Sequence, residues 1–333
     1  MKTMVLSSGN KILLSVRDLT VEFRIPRGIL RAVDNVCLDV YEGEVLGLAG
    51  ESGCGKSVLA HAILGIVDPN GYIKHGKVIF KEDEREIDVL SLSKEKLRRF
   101  RWSKISIVFQ GALNSFNPVI RIKDHFMDTM RDHKGRISEK SMFKLASNLL
   151  KEVRLDASQV LRMFPHELSG GMKQRTLIAL SFILGPKLII LDEPTSALDV
   201  LTQKFIISLL RKIHEETGLT MIFITHDLAV LAEIADRIAI MYLGNIVEVA
   251  DTYKIFYEPK HPYTKALIKS IPSITGPLEE IKPLPGPLPD PVHPPPGCKF
   301  HPRCPYKTEI CKKVKPELIN IGEDHFVACH KYH

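Results

Sequence analysis

No run of about eighteen apolar residues occurs in the 333-residue chain, so no segment is expected to cross a bilayer as a helix. The opening stretch "MKTMVLSSGNKILLSVRDLT" has no long apolar core before charge returns, and no secretion signal is expected there. With neither feature, the chain is expected in the reducing cytoplasm, where structural disulfides are rare. No internal repeat and no coiled-coil heptad pattern is present. Proline is scarce at first: only six of the 21 prolines precede Pro259. Cysteine is scarcer still, with two of the six before Cys298. What is abundant is apolar residues, 44% of the chain, enough for a sizeable core and two domains. The formal charge of +7 is ordinary for a soluble protein of this length, although a basic surface can meet nucleic acid or an anionic membrane face.

The proline distribution sets an expected boundary near residue 258. The segment "LPGPLPDPVHPPPG" cannot form a central helix or strand, because each proline removes a donor and fixes one dihedral. Residues 1–258 read as one α/β domain and 259–333 as a small C-terminal domain. In the first, "ILLSVRDLTVEF", "RAVDNVCLDVY" and "GKVIF" read as strands of an antiparallel layer. "EVLGLAG", "KLIILDEP" and "LTMIFITHD" are short, nearly continuous apolar runs, as expected of strands covered on both faces. "KSVLAHAILGIV", "TQKFIISLLRKIHEET" and "LAVLAEIAD" read as helices. Residues of about 118–165 read as a helical insertion into the parallel-sheet core.

"GESGCGKS" fits G-x-x-x-x-G-K-[ST], after a predicted strand and before a predicted helix. Gly50, Gly53 and Gly55 permit a tight turn, and with Glu51, Ser52 and Cys54 they present backbone N–H groups to phosphate. Lys56 can reach the β- and γ-phosphates, and the Ser57 hydroxyl can bind Mg²⁺. In "LIILDEP" a buried strand ends at Asp192, suited to hold Mg²⁺ through water. Glu193 follows and can polarise an attacking water. Gln110 ends "ISIVFQ", where its amide can touch Mg²⁺ or that water, and His226 ends "MIFITH", where it can bond the γ-phosphate.

A further motif, "LSGGMKQR", has no role in a lone phosphate pocket. Together with "GESGCGKS", "LDEP", "SALD" and "TH", it resembles the ATP-binding-cassette ATPases in order and spacing across residues 12–250. The resemblance implies a P-loop core with an antiparallel β subdomain and a helical subdomain. It also implies that Ser169, Gly170 and Gly171 cover the γ-phosphate of ATP held by an opposite subunit, that Asp199 helps to join the two sites, and that Phe23 stacks on adenine. "FQGALNSFNP", "PKHPYTKAL", "PLPG" and "GCKFHPRC" extend the resemblance to the ATPases of oligopeptide and dipeptide importers, closer to the first of their two ATPases. That implies a heterodimer with a second, similar ATPase, two membrane permeases contacted near "GALNSFNPVIRI", and an external solute-binding protein. The place implied is the cytoplasmic face of the membrane. The cargo implied is peptide, with nickel or oligosaccharide as variants, and no nucleic acid. The competing reading is a soluble cassette ATPase of nucleic-acid repair or translation.

Cys298, Cys304, Cys311 and Cys329 are spaced C-x₅-C-x₆-C-x₁₇-C. The spacing matches neither a zinc finger nor the common ferredoxin run. Four thiolates in a reducing compartment favour a metal over disulfides, and a cross-linking metal would order a tail with few large apolar residues. The resemblance implies a [4Fe–4S] cluster, with zinc as the alternative. His301, His325 and His330 are further ligand candidates.

Overall fold

The structure, a computed structural model, describes residues 11–83, 85–111, 115–135, 137–196, 198–270 and 286–333. The chain divides into two compact units, Met1–Ser91 with Thr225–His333, and Leu92–Ile224. The first unit begins with β1 (Ile12–Ile25), β2 (Gly28–Tyr41), β3 (Val45–Ala49), α1 (Lys56–Ile63), β4 (Gly71–Glu82) and β5 (Arg85–Asp88). The second contains α2 (Lys94–Phe100), β6 (Ile105–Val108), α3 (Ile122–Lys134), α4 (Glu139–Glu152), α5 (Ala157–Val160), α6 (Gly170–Ser181), β7 (Leu188–Asp192), α7 (Val200–Thr217) and β8 (Thr220–Ile224). The chain then returns to the first unit through α8 (Leu228–Ile234), β9 (Arg237–Tyr242), β10 (Asn245–Asp251), α9 (Thr252–Tyr257), α10 (Pro262–Lys269), β11 (Ile319–Asn320) and β12 (Phe326–Val327).

In the first unit, one antiparallel sheet has the order β2-β1-β4-β5. Edge strand β2 alternates buried Val36, Leu38 and Val40 with less buried neighbours, as a half-covered strand does, whereas β1, between β2 and β4, is buried in two runs of four residues. The other strands of this unit run β11-β12-β10-β9-β3, with β3 parallel to β9 and the remaining pairs antiparallel. All residues of β3 and β9 are buried, and both strands are apolar apart from Arg237, whose buried guanidinium pairs with Glu44 at 3.1 Å. In the second unit β6, β7 and β8 are parallel neighbours, and all three are buried throughout. Helices α3, α4 and α5 occupy Ile122–Val160, within the stretch expected to be helical.

Within the first unit, strand pairing and two acidic hubs tie the C-terminal segment to the rest. Strand β12 adds to β10, with Glu248 opposite Val327 and Val249 opposite Phe326. The Glu248 carboxylate, fully buried, accepts the N–H groups of Lys260 at 2.7 Å and His261 at 2.9 Å, and pairs with His325 Nε2 at 2.7 Å. Asp34 of β2 takes Lys299 and Lys315, each at 3.0 Å. Burial alone would push the Asp34 carboxyl up; the two ammonium groups outweigh it and hold it well below the usual carboxylate range.

Candidate nucleotide and signature sites

In the first unit the phosphate loop leaves β3 and enters α1. A Cβ on Gly50 (φ 148°) would lie 2.1 Å from the Met241 carbonyl oxygen, and one on Gly55 (φ 106°) 2.1 Å from that of Ala32. Only glycine fits either place, because Met241 near the end of β9 and Ala32 within β2 press on the loop. Ser52 and Gly53 form its exposed tip, and Ser57 is half-buried at the start of α1. Lys56 is 7% exposed, and its Nζ donates to the carbonyls of Gly50 at 2.8 Å and Glu51 at 3.1 Å. Cys54 is buried, and burial pushes its thiol up, so its part in the loop is that of its backbone.

Two more expected residues belong to this unit. Thr225 donates its N–H to Leu48 of β3 at 3.3 Å, which sets the exposed His226 beside the strand that feeds the loop. Phe23 of β1 is half-buried and lies opposite Gly71, where a Cβ would be 2.6 Å from its ring.

In the second unit, the end of β7 carries the acidic pair. Asp192 is fully buried opposite Ile224, and Glu193 follows in a left-handed conformation with φ 48°. That conformation is costly for a non-glycine residue. It is held by the Glu193 N–H donating to Ile224 at 2.9 Å and by the Glu193 carbonyl accepting from Ser196 N–H at 3.1 Å and Oγ at 2.9 Å. Gln110, two residues past β6, brings its amide within 3.4 Å of the Glu193 carboxylate.

The signature residues form a separate place in the same unit. Ser169 is exposed and caps α6, its Oγ accepting from the Met172 N–H at 3.3 Å. Gly171 packs so closely on α7 that a Cβ there would be 2.8 Å from Thr202 Cγ2. Asp199 caps α7, accepting from Leu201 and Thr202 N–H and from Thr202 Oγ1 at 2.6 Å. These hydrogen bonds keep its carboxyl below the usual range. Ser169, Gly170, Gly171, Asp199, Thr202 and Phe205 line an open depression of about 510 Å³. Leu201, which also lines it, is 81% exposed, and its neighbour Val200 67%. Of the "SALD" stretch, Ala197 lies outside the described residues, as do Ala112, Leu113 and Asn114 of the expected permease contact.

In the tail, the four cysteines are unpaired by disulfides and half-buried. They lie within electrostatic reach of one another: burial first, then Cys311, Cys329 and Cys304, pushes the Cys298 thiol up to about 11. Burial raises the thiols of Cys304 and Cys329 as well, and the Thr308 hydroxyl lies 3.3 Å from the Cys311 sulfur. Among the described residues, no three His, Cys, Asp or Glu side chains converge on a point that one metal ion would occupy. The expectation of a metal-ligand set is not met in that form. The histidines are engaged elsewhere: His301 with the Cys298 carbonyl, His325 with Glu248 and His330 with the Val314 carbonyl.

Two residues at the phosphate loop had no assigned role in the sequence. The Glu51 N–H donates to the Tyr263 hydroxyl at 2.9 Å, and the Glu51 carboxylate takes both terminal nitrogens of Arg303, at 2.8 and 3.2 Å. Tyr263 and Arg303 fall in "HPYTKAL" and "GCKFHPRC", two of the stretches that carried the resemblance, but nothing in either stretch names a carboxylate in the loop as its partner.

A glycine-rich loop between a buried strand and a helix, a buried acidic strand end and a serine-capped Gly-Gly helix define the class: an ATP-binding-cassette ATPase. Residues 33–196 match the ABC transporter family, and residues 247–311 match the oligopeptide/dipeptide transporter C-terminal region. The chain is 45% identical to the dipeptide transport ATP-binding protein DppD of Caldanaerobacter subterraneus, over 96% of this chain and 97% of that one. It is 38% identical to DppD of Escherichia coli, over 96% of each. It is also 38% identical to the oligopeptide transport ATP-binding protein OppD of Haemophilus influenzae, over 95% of this chain and 96% of that one. Among solved structures, a bacterial ABC transporter cassette determined as a dimer superposes with a TM-score of 0.63 at 29% identity, over 72% of this chain and 98% of that one. A dimer of that cassette in a post-hydrolysis state, bound to ADP and Pi, gives the same TM-score of 0.63. The chain belongs to the family of ATP-binding subunits of dipeptide and oligopeptide ABC transporters.

Proposed function

We propose that this chain hydrolyses ATP to energise the import of peptides across the cytoplasmic membrane. The observation that carries the reading is the unbroken set of phosphate loop, acidic strand end and signature helix on a chain similar, along 96% of its length, to a dipeptide transport ATP-binding protein. Residues 1–258 are the ATPase domain, with about 118–165 as its helical subdomain, and 259–333 are the C-terminal extension.

The loop amides of Gly50–Gly55 and the α1 N-terminus bind the triphosphate, Lys56 neutralises its β- and γ-oxygens, and Phe23 offers its ring to adenine. Ser57, Asp192 and Gln110 are the residues that would hold Mg²⁺, which would supply neutralisation of phosphate charge. Glu193 orients the attacking water and draws its proton, and His226 bonds the γ-phosphate. Ser169, Gly170 and Gly171 seal ATP carried by a partner ATPase, with Asp199 and the exposed Val200 and Leu201 at that interface. The partner is a second, similar ATPase, and the pair sits beneath two permeases served by an external solute-binding protein. Among the described residues no helix is long and apolar enough to cross a membrane, which suits attachment through permeases. The segment after Gln110, where Val119 is 75% exposed, is the permease contact. A soluble role in repair or translation has no observation behind it. Purified, assembled complex in vesicles is expected to hydrolyse ATP faster when peptide-loaded receptor is added; turnover indifferent to every peptide tested, but raised by nickel or an oligosaccharide, would reassign the cargo.

For the tail, the proposal is a [4Fe–4S] cluster held by Cys298, Cys304, Cys311 and Cys329. Four neighbouring thiols suit a cluster, in which each cysteine takes its own iron, better than one zinc ion, which needs ligands on a single point. Anaerobic purification is expected to give iron, sulfide and visible absorbance in proportion; zinc without iron rejects the cluster.

A further inference from the structure

We propose that Arg303 is a positioning residue for the phosphate loop: the C-terminal segment grips Glu51 and thereby sets the loop's nucleotide affinity. The inference rests on the reading of Gly50–Ser57 as the ATP site. Each polar group of Glu51 is held. Its carbonyl accepts from Lys56 at 3.1 Å, its N–H donates to Tyr263 at 2.9 Å, and its carboxylate receives the Arg303 fork at 2.8 and 3.2 Å. Two of those three partners lie more than 200 positions away, one on α10 and one beside Cys304. Among the described residues, the side chains that hold Glu51 from outside the loop, Tyr263 and Arg303, both lie beyond residue 258.

The grip is built to be rigid. The Arg303 side chain is 4% exposed against 23% for Glu51. Its guanidinium also donates to the Tyr242 hydroxyl at 3.4 Å and lies over the rings of Tyr242 and Phe300. Tyr242, Tyr263 and Phe300 pack on one another with centroids 4.6 to 5.4 Å apart, and all three are buried. A planar, two-pronged ion pair in that wall fixes direction as well as distance, which an exposed pair does not. The loop also meets Met241 at Gly50, Ala32 at Gly55 and the Gly244 N–H at the Cys54 carbonyl, 2.8 Å away, while its tip at Ser52 and Gly53 is exposed; Glu51 is where the restraint of the C-terminal segment enters. A loop whose amides are pre-aimed loses less freedom when it closes on phosphate.

The test uses the full-length protein with Mg²⁺ and a fluorescent ATP analogue. Arg303→Ala and Glu51→Gln are each expected to weaken binding about 10-fold, as for loss of a charged hydrogen bond. The double variant is expected to be no weaker than the worse single one, and Arg303→Lys, which lacks the fork, to fall between. By reciprocity, nucleotide is expected to slow amide exchange at residues 300–304. Should Arg303→Ala fail to fold, Glu51→Gln and Arg303→Lys read the same contact. A lowered melting temperature with unchanged affinity, independent additive effects, or exchange at 300–304 indifferent to nucleotide would overturn the proposal. Lys56→Ala separates the two levels. If it abolishes binding while the clamp variants bind normally, the clamp alone is wrong; if it binds normally, the ATP-site assignment fails and takes the clamp with it.

Discussion

Glu193 shows how much one residue's backbone can say. Its left-handed φ of 48° is maintained by a strand-like hydrogen bond on one side and a serine turn on the other, and its carboxylate meets the Gln110 amide. A conformation this unfavourable persists where surrounding contacts impose it, as at reacting groups. Glu193→Gln keeps shape and hydrogen bonding but removes the carboxylate proposed as the base. It is expected to retain ATP binding and to lose about 10²- to 10⁴-fold in turnover, measured in the assembled complex. Wild-type turnover would remove Glu193 from the water-activating role. Such residues were legible because their motifs are local: Gly50 through Ser57, Asp192 and Glu193 declare themselves within a few positions. Arg303, Tyr263 and Glu248 were not. A lone arginine in a tail carries no mark of a carboxylate some 250 positions earlier, and Glu248 reads as an ordinary polar residue in an apolar strand until β12 covers it.

At the scale of elements, apolar runs located the strands well, and capping explains where the helices begin. The reading of α1 ran too far: it stops at Ile63 because Gly65 adopts φ 62° and its N–H turns back to Ala62. Strands β11 and β12, two residues each, are too short for periodicity to reveal. Helix α10 has an unusual cap. His261, 2% exposed, accepts the Tyr263 N–H on Nδ1 at 3.0 Å, a bond that requires an unprotonated ring. Burial lowers its pKa to about 4, against the opposing pull of Glu248. The unfolded chain takes up that proton near pH 6.5, roughly the ordinary histidine value. Stability from this residue is therefore complete above about pH 6.5 and declines as pH falls toward 4, by up to about 3 kcal/mol. Urea midpoints for His261→Asn, which keeps a capping acceptor, are expected to decline less over that window than those of the wild type; parallel curves would clear His261 of the effect.

For the whole molecule, composition and proline placement indicated an α/β protein with a distinct tail, but not how the tail is used. The tail's prolines marked a change in local chain character, and that is all such a signal reports. Long-range pairing is invisible to it: residues 247–249 and 326–328 share a sheet edge, Asp34 gathers two lysines from the tail, and Glu51 is held by Arg303. These contacts depend on which side chains the completed sheet brings face to face, and no window of sequence contains both partners.

The addition of β12 to β10 has a consequence for the newborn protein. A ribosome releases β10 long before Phe326 and Val327, and until they arrive the apolar edge of that strand lacks its neighbour. An uncovered edge is a template for another chain. The interval between residue 251 and residue 327, some seconds at ordinary rates of synthesis, is thus when this polypeptide depends most on chaperones or on dilution.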